Sequence, residues 1–216
     1  MTLLEIPFGV TEIVCIGAHA DDIEIGIGGT LVAMADALPE ARFTFVVLSA
    51  EGQRAGEAEA SAHDLLGDRC SIRTGSFADN LLPYAEPVLV KSFLRETVPP
   101  VADLVFTPRR DDRHQDHRFA ADLAGQVIRS GLFLQYEIVN NDRDLGQPNA
   151  FIPLASEVIE AKVDHLMAHF ESQQNKAWYL PDVFRSIARV RGVQSGAPGG
   201  YAEAFILDAV SIGIGS

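Results

Sequence analysis

The chain has 216 residues, 47% hydrophobic and 22% charged, a length and balance that suit one domain with a substantial core spanning 1–216. Its formal net charge of -13 repels nucleic-acid backbones and anionic membrane surfaces, which excludes nucleic acid and membrane as expected partners. No apolar run approaches the roughly 20 residues of a membrane span, and Met1 to Val10 lacks a basic, apolar leader pattern, so a cytoplasmic location is expected.

Short apolar runs alternate with helix-forming stretches through the first two thirds of the chain. Strands are expected at residues 13–17, 43–49, 70–74, 104–107 and 135–139, and helices at 26–38, 57–66, 87–98, 114–130 and 156–170. The last helix carries the apolar stripe Val158, Ile159, Val163, Leu166, Met167 and Phe170. Residues 192–200, rich in glycine and serine, read as a pocket-flanking loop. Such alternation implies βαβ units: an α/β, Rossmann-like three-layer fold with a mostly parallel sheet flanked by helices. Ligand sites are then expected at the carboxyl ends of the strands. The two cysteines, Cys15 and Cys70, fall in predicted strands and read as small buried apolar residues of a reducing compartment.

Two polar knots sit at predicted strand ends. Residues 17–30 read Gly-Ala-His-Ala-Asp-Asp-Ile-Glu-Ile-Gly-Ile-Gly-Gly-Thr, and residues 113–117 read Arg-His-Gln-Asp-His. Histidines and aspartates at the edge of a packed sheet are explained most economically by a metal. Catalytic zinc commonly takes three protein ligands and keeps a position for water, and His19, Asp22 and His117 supply two imidazoles and one carboxylate. Asp21 cannot share that ion easily, because neighbouring side chains diverge; it is placed to accept the water's proton as general base. In the second knot Asp111 or Asp112 is expected to cap the helix, His114 to stay near the substrate and Asp116 to orient a histidine ring. Gly26, Gly28 and Gly29 let the first helix approach the sheet. Glu24 reads as a solvated or supporting residue near that helix N-terminus. His63, His165 and His169 fall in predicted helices and read as surface or packing residues.

These clusters resemble the LmbE-like (PIG-L) family of zinc-dependent N-deacetylases. Its pattern His-Pro-Asp-Asp-x-Glu, a glycine-rich GGT start and a later His-x-Asp-His are matched at 19–30 and 114–117, with Ala20 in place of the usual proline. Further echoes are Arg54-Ala-Gly-Glu57, the segment from Phe77 to Leu81 with Asp79, Ser172-Gln173, and Tyr201-Ala-Glu203-Ala-Phe205. The resemblance implies removal of an acetyl group from an N-acetylated amino sugar with one zinc ion per chain. It assigns His19, Asp22 and His117 as metal ligands, Asp21 as base and His114 to the oxyanion or leaving amine, and Asp116 is counted among the catalytic residues. It also assigns Arg54 and Asp79 as sugar contacts, and implies a homo-oligomer.

Three other readings compete. A dinucleotide-binding oxidoreductase needs Gly-x-Gly-x-x-Gly at the strand-to-helix turn, where this chain has His19, Asp21 and Asp22. A dinuclear phosphoesterase needs more ligands than Asp21, Asp116 and His114 readily supply. A non-catalytic sugar- or metal-binding module has no use for Asp21. The arginines at 109, 110 and 113 are placed to meet an anionic group on a substrate or to remain solvated.

Overall fold

The computed structural model describes residue 6 and residues 9–209; most of the N-terminal segment, with its expected lack of a leader, lies outside the described residues. Among the described residues, seven strands form one sheet: β1 (Glu12–His19), β2 (Arg42–Ser49), β3 (Cys70–Thr74), β4 (Leu104–Pro108), β5 (Leu132–Tyr136), β6 (Ala150–Leu154) and β7 (Tyr201–Leu207). Their spatial order is β3-β2-β1-β4-β5-β7-β6. The first five are parallel, and β7 runs antiparallel to both β5 and β6. The α/β expectation holds.

Six α-helices among the described residues cover the sheet: α1 (Asp22–Ala37), α2 (Gln53–Leu66), α3 (Pro87–Thr97), α4 (Gln115–Val127), α5 (Ser156–His169) and α6 (Pro181–Ser195). The run Ile13 to Ile16 on β1 is apolar throughout because both faces of the strand are covered. Ile13 and Cys15 join a core cluster with Ile23 and Ile27 of α1, Ala62 of α2, Val163 of α5 and Phe184 of α6. Val14 and Ile16 point the other way, into a second cluster with Val90 and Leu94 of α3 and Ala120 of α4. Among the described residues, no helix is long and apolar enough to cross a membrane.

The strand order reverses between β1 and β4. At such a switch point the connections leave in opposite directions and open a crevice at the carboxyl ends. Both polar knots follow these two strands.

Several boundaries differ from expectation. α1 begins at Asp22 rather than 26, and its glycines serve close packing as expected. An ideal Cβ on Gly26 would lie 2.1 Å from the ring of Tyr136, and one on Gly29 would lie 2.7 Å from Leu154. The fifth strand ends at Tyr136, not at 139. Residues 192–195 belong to α6, which stops at Gly196 in the left-handed conformation (φ 69°). α6, β6 and β7 escaped the sequence reading as regular elements. β6 carries Pro153, a residue tolerated in a sheet only where a strand lies at its edge, as β6 does.

Tyr136 is fully buried and donates to the carbonyl of Ile16 at 2.6 Å, so its ring cannot retreat from a new neighbour. Gly26→Ala is therefore expected to destabilise the fold by about 1–3 kcal/mol, the usual cost of overpacking. A urea unfolding midpoint equal to the parent's would show that the ring gives way.

Candidate active site and metal centre

His19 ends β1, Asp21 precedes α1, and Asp22 is its first residue. The short turn between strand and helix forces these three side chains together at the crevice. Asp22 Oδ2 accepts from the backbone N–H of Ala18 at 2.9 Å and of His19 at 2.8 Å, which fixes the carboxylate. From the second knot, α4 brings His117 against it. His117 Nε2 lies 3.4 Å from Asp22 Oδ1, and His19 Nδ1 lies 3.5 Å from Asp22 Oδ2. His19, Asp22 and His117 are thus assembled from two segments almost a hundred residues apart.

The outer nitrogen of each imidazole faces a further carboxylate. His19 Nε2 is 3.2 Å from Asp116 Oδ2 and 3.1 Å from Asp79 Oδ1. His117 Nδ1 is 3.2 Å from Asp112 Oδ2, within ion-pair distance though not aligned as a hydrogen bond. Outer carboxylates of this kind orient metal-binding imidazoles and raise their basicity. Asp116 is fully buried, and its other oxygen accepts from Leu82 N–H at 3.1 Å. It stands behind His19 rather than in the cleft. Asp112 is equally enclosed and does not cap α4. The N-cap is His114, whose backbone N–H donates to Asp112 Oδ1 at 2.8 Å. Sequence reading missed the approach of Asp112 to His117 because the two lie on opposite sides of the α4 start.

His114 stacks on His117 with ring centroids 4.4 Å apart, so three imidazoles offer donor atoms within 4.8 Å of one another. The third is already engaged. His114 Nδ1 accepts from Asp116 N–H at 3.2 Å, which leaves the proton on Nε2, 3.1 Å from Asn80 Oδ1. Burial and the neighbouring His117 push His114 below its ordinary pKa. A neutral ring with Nε2–H at the cleft is a hydrogen-bond donor.

Asp21 is 4% exposed. Burial, reinforced by the charge of Asp22, raises its pKa above the ordinary carboxylate value, while Arg54 Nη2 at 3.8 Å works against the shift. Arg54 Nη1 donates to Asp79 Oδ2 at 2.7 Å, so one guanidinium links the two acids. The hydrogen bond from His19, with Arg54, holds Asp79 well below the usual carboxylate range. Asp21, Arg54, Asp79 and His114 line a cleft of about 420 Å³, together with Asn80, Asn140, Lys176 and Trp178. Asn80 lies in the motif echo around Asp79; of the other three no motif gave notice. They reach the cleft on loops whose placement depends on the fold.

Two arginines near the second knot are satisfied within the chain. Arg109 is buried and pairs with Asp111 and Asp144, and Arg110 pairs with Asp208. Glu24 is not solvated; burial raises it to about 8, and the Ser61 hydroxyl donates to it at 2.5 Å.

The donor chemistry fits zinc: two imidazoles, each within 3.5 Å of one or the other oxygen of the Asp22 carboxylate, and held from outside by further carboxylates. Burial alone would lower His117, yet Asp22 and Asp112 overcome it and raise its pKa to about 9. The cluster therefore draws positive charge inward, and a divalent cation would replace those protons.

The chain is 26% identical to the diacetylchitobiose deacetylase of Thermococcus kodakarensis over 226 aligned positions, covering 91% of this chain and 83% of that protein. Its fold is similar to the N,N'-diacetylchitobiose deacetylase of Pyrococcus horikoshii, with a TM-score of 0.70 at 21% identity over 93% of this chain and 84% of the other. It is also similar to the 4-carboxy-2-hydroxymuconate hydratase of Pseudomonas putida, with a TM-score of 0.68 at 17% identity over 95% and 99%. A hydratase and a deacetylase thus share this fold, and fold alone does not choose the reaction. The family model described as "PIG-L: GlcNAc-PI de-N-acetylase" matches residues 14–128, which include both polar knots. That match takes in more than half of the chain, which therefore belongs to the PIG-L family of de-N-acetylases.

Proposed function

We propose that the chain is a zinc-dependent hydrolase that removes the N-acetyl group from an N-acetylated amino sugar, a GlcNAc-type glycoside or conjugate, with one catalytic zinc per chain. The observation that carries the reading is the placement of Asp21 in the cleft beside, but not within, the convergent group of His19, Asp22 and His117. Family membership and the relatives' names, deacetylases of N-acetylated sugars, support the substrate class.

His19, Asp22 and His117 would hold the ion. Zinc bound there polarises a carbonyl and eases ionisation of water. Asp21 takes the proton of the attacking water; its burial and the adjacent charge of Asp22 make it a stronger base than an exposed carboxylate. His114 Nε2–H, exchanging its Asn80 partner at 3.1 Å, stabilises the developing oxyanion or protonates the departing amine. One such donor contributes about 3–4 kcal/mol when well placed. Asp116 holds the His19 ring from behind. Arg54 and Asp79, exchanging their mutual hydrogen bond for sugar hydroxyls, bind the substrate ring at the mouth. A dinucleotide has no place here, because Asp21, Asp22 and Asp79 would repel its pyrophosphate.

The test is an acetate-release screen of the zinc-loaded protein against N-acetylated sugars, sugar nucleotides and glycosides. Stoichiometric acetate and free amine from an N-acetylglucosaminide are expected. Release from none of these amides, with addition of water to an unsaturated acid instead, would overturn the reading in favour of hydratase chemistry.

A further inference from the structure

Three side chains converge between α2 and α5, and none of them lines the cleft. His165 and His169 are four residues apart on α5, so both rings project from one face of the helix. Opposite them, α2 presents Asp64. His165 Nδ1 lies 3.2 Å and His169 Nε2 lies 3.1 Å from the same oxygen, Asp64 Oδ2. The two rings stand 4.2 Å apart, inclined at 35°, and one donor atom from each of the three residues falls within 4.8 Å of the others. Ligand atoms about 2.0–2.1 Å from a tetrahedral zinc are about 3.4 Å from each other. Both histidine donors already stand near that spacing from Asp64, at 3.2 and 3.1 Å.

We propose that Asp64, His165 and His169 form a second divalent transition-metal site, separate from the catalytic centre. Two imidazoles and a single carboxylate suit zinc, nickel or copper and not calcium or magnesium, which take oxygen ligands. Solvent reaches the site from the Asp64 side, whose side chain is 64% exposed, and completes the coordination. The His165 ring is already oriented from behind: its Nε2 lies 2.9 Å from Ser61 Oγ, leaving Nδ1 to face Asp64. A partner on the outer nitrogen is the usual companion of a metal-binding imidazole. The chain's net charge of -13 favours cations at its surface in general.

The site also touches the catalytic segment. Ser61 donates onward to Glu24 at 2.5 Å, and Glu24 sits in the first turn of α1, which begins at Asp22. An ion that fixes His165 also fixes this chain of contacts.

The test uses the full chain, stripped with chelator and titrated with zinc, with bound metal counted after desalting. Wild type is expected to retain two ions per chain. His169→Ala is expected to retain one, and His169→Ala combined with His117→Ala none. Asp64→Asn should weaken the second ion at least about tenfold. His169 is the residue to change because His165 is packed into the helix interface; circular dichroism confirms that the variant folds. Cobalt separates the sites by spectrum: a visible band that persists in His117→Ala and disappears in His169→Ala belongs to the new site. Equal metal content and equal affinities in wild type and His169→Ala would overturn the proposal and leave the trio as a helix-to-helix ion pair. Loss of all metal in His117→Ala alone would overturn it too. Neither result bears on acetate release, which tests the catalytic reading independently.

Discussion

Asp21→Asn is expected to keep its zinc and lose about 10²–10⁴ of kcat, the range for removal of a general base. The asparagine has the same shape and keeps the helix start, where Ile25 N–H bonds to the Asp21 carbonyl at 3.0 Å. What it lacks is a lone pair basic enough to take a proton. Asp21 lies beside Asp22 in sequence, yet its near cation is Arg54 at 3.8 Å, while both histidines turn to Asp22. Metal content and turnover should therefore separate. The measurement is zinc per chain alongside kcat on whichever N-acetyl sugar the screen identifies. Full turnover with full zinc removes Asp21 as the base; loss of zinc together with turnover makes it a ligand instead.

His117→Ala is expected to fail in a different way. Partners behind a metal-binding histidine are worth about 10–100-fold in affinity, so removing the imidazole itself should weaken the catalytic ion by at least about 100-fold and take activity with it. Stability should fall as well. His117 stands between Asp22 at 3.4 Å and Asp112 at 3.2 Å, both buried. Without the ring and without an ion, two enclosed carboxylates face each other with no positive charge between them, and breaking such a buried arrangement costs about 3–5 kcal/mol. A lowered urea midpoint, with one tightly bound zinc fewer than the parent, is the expected signature. His114→Ala is the control: the neighbouring ring goes, the ion stays. A His117→Ala chain that binds as many zinc ions as the parent, at the parental affinities, and denatures at the parental midpoint would transfer the ligand role to His114.

The site was legible in outline because each knot is local. Between strand end and helix start, residues 19–22 have no freedom to scatter, so their clustering could be read from spacing. The same holds for His114, Asp116 and His117 on one turn of α4. The roles within each knot were less legible. Asp112 reads as a helix cap and instead backs His117, and Asp116 reaches across to His19 rather than to a histidine of its own segment. Such pairings depend on how β1 and β4 sit side by side, which no residue of either segment encodes alone. Glu203 shows the same limit. It stood out only as part of a motif echo, yet in the fold it is buried on β7 and accepts from the backbone N–H of Gly29 at 2.9 Å and Thr30 at 2.7 Å, with Lys162 of α5 against it.

By itself the sequence determined what depends on neighbours within a few residues: strand and helix alternation, the parallel half of the sheet, the close-packing glycines of α1 and the two donor clusters. Backbone period and turn chemistry act at that range. Only the tertiary structure decided the antiparallel pair β6 and β7 at the sheet's far side, the loops that carry Lys176 and Trp178 to the cleft, and the meeting of Asp64 with His165 and His169. These rest on contacts between segments far apart in the chain, selected by burial and charge complementarity across the whole core rather than by any local pattern.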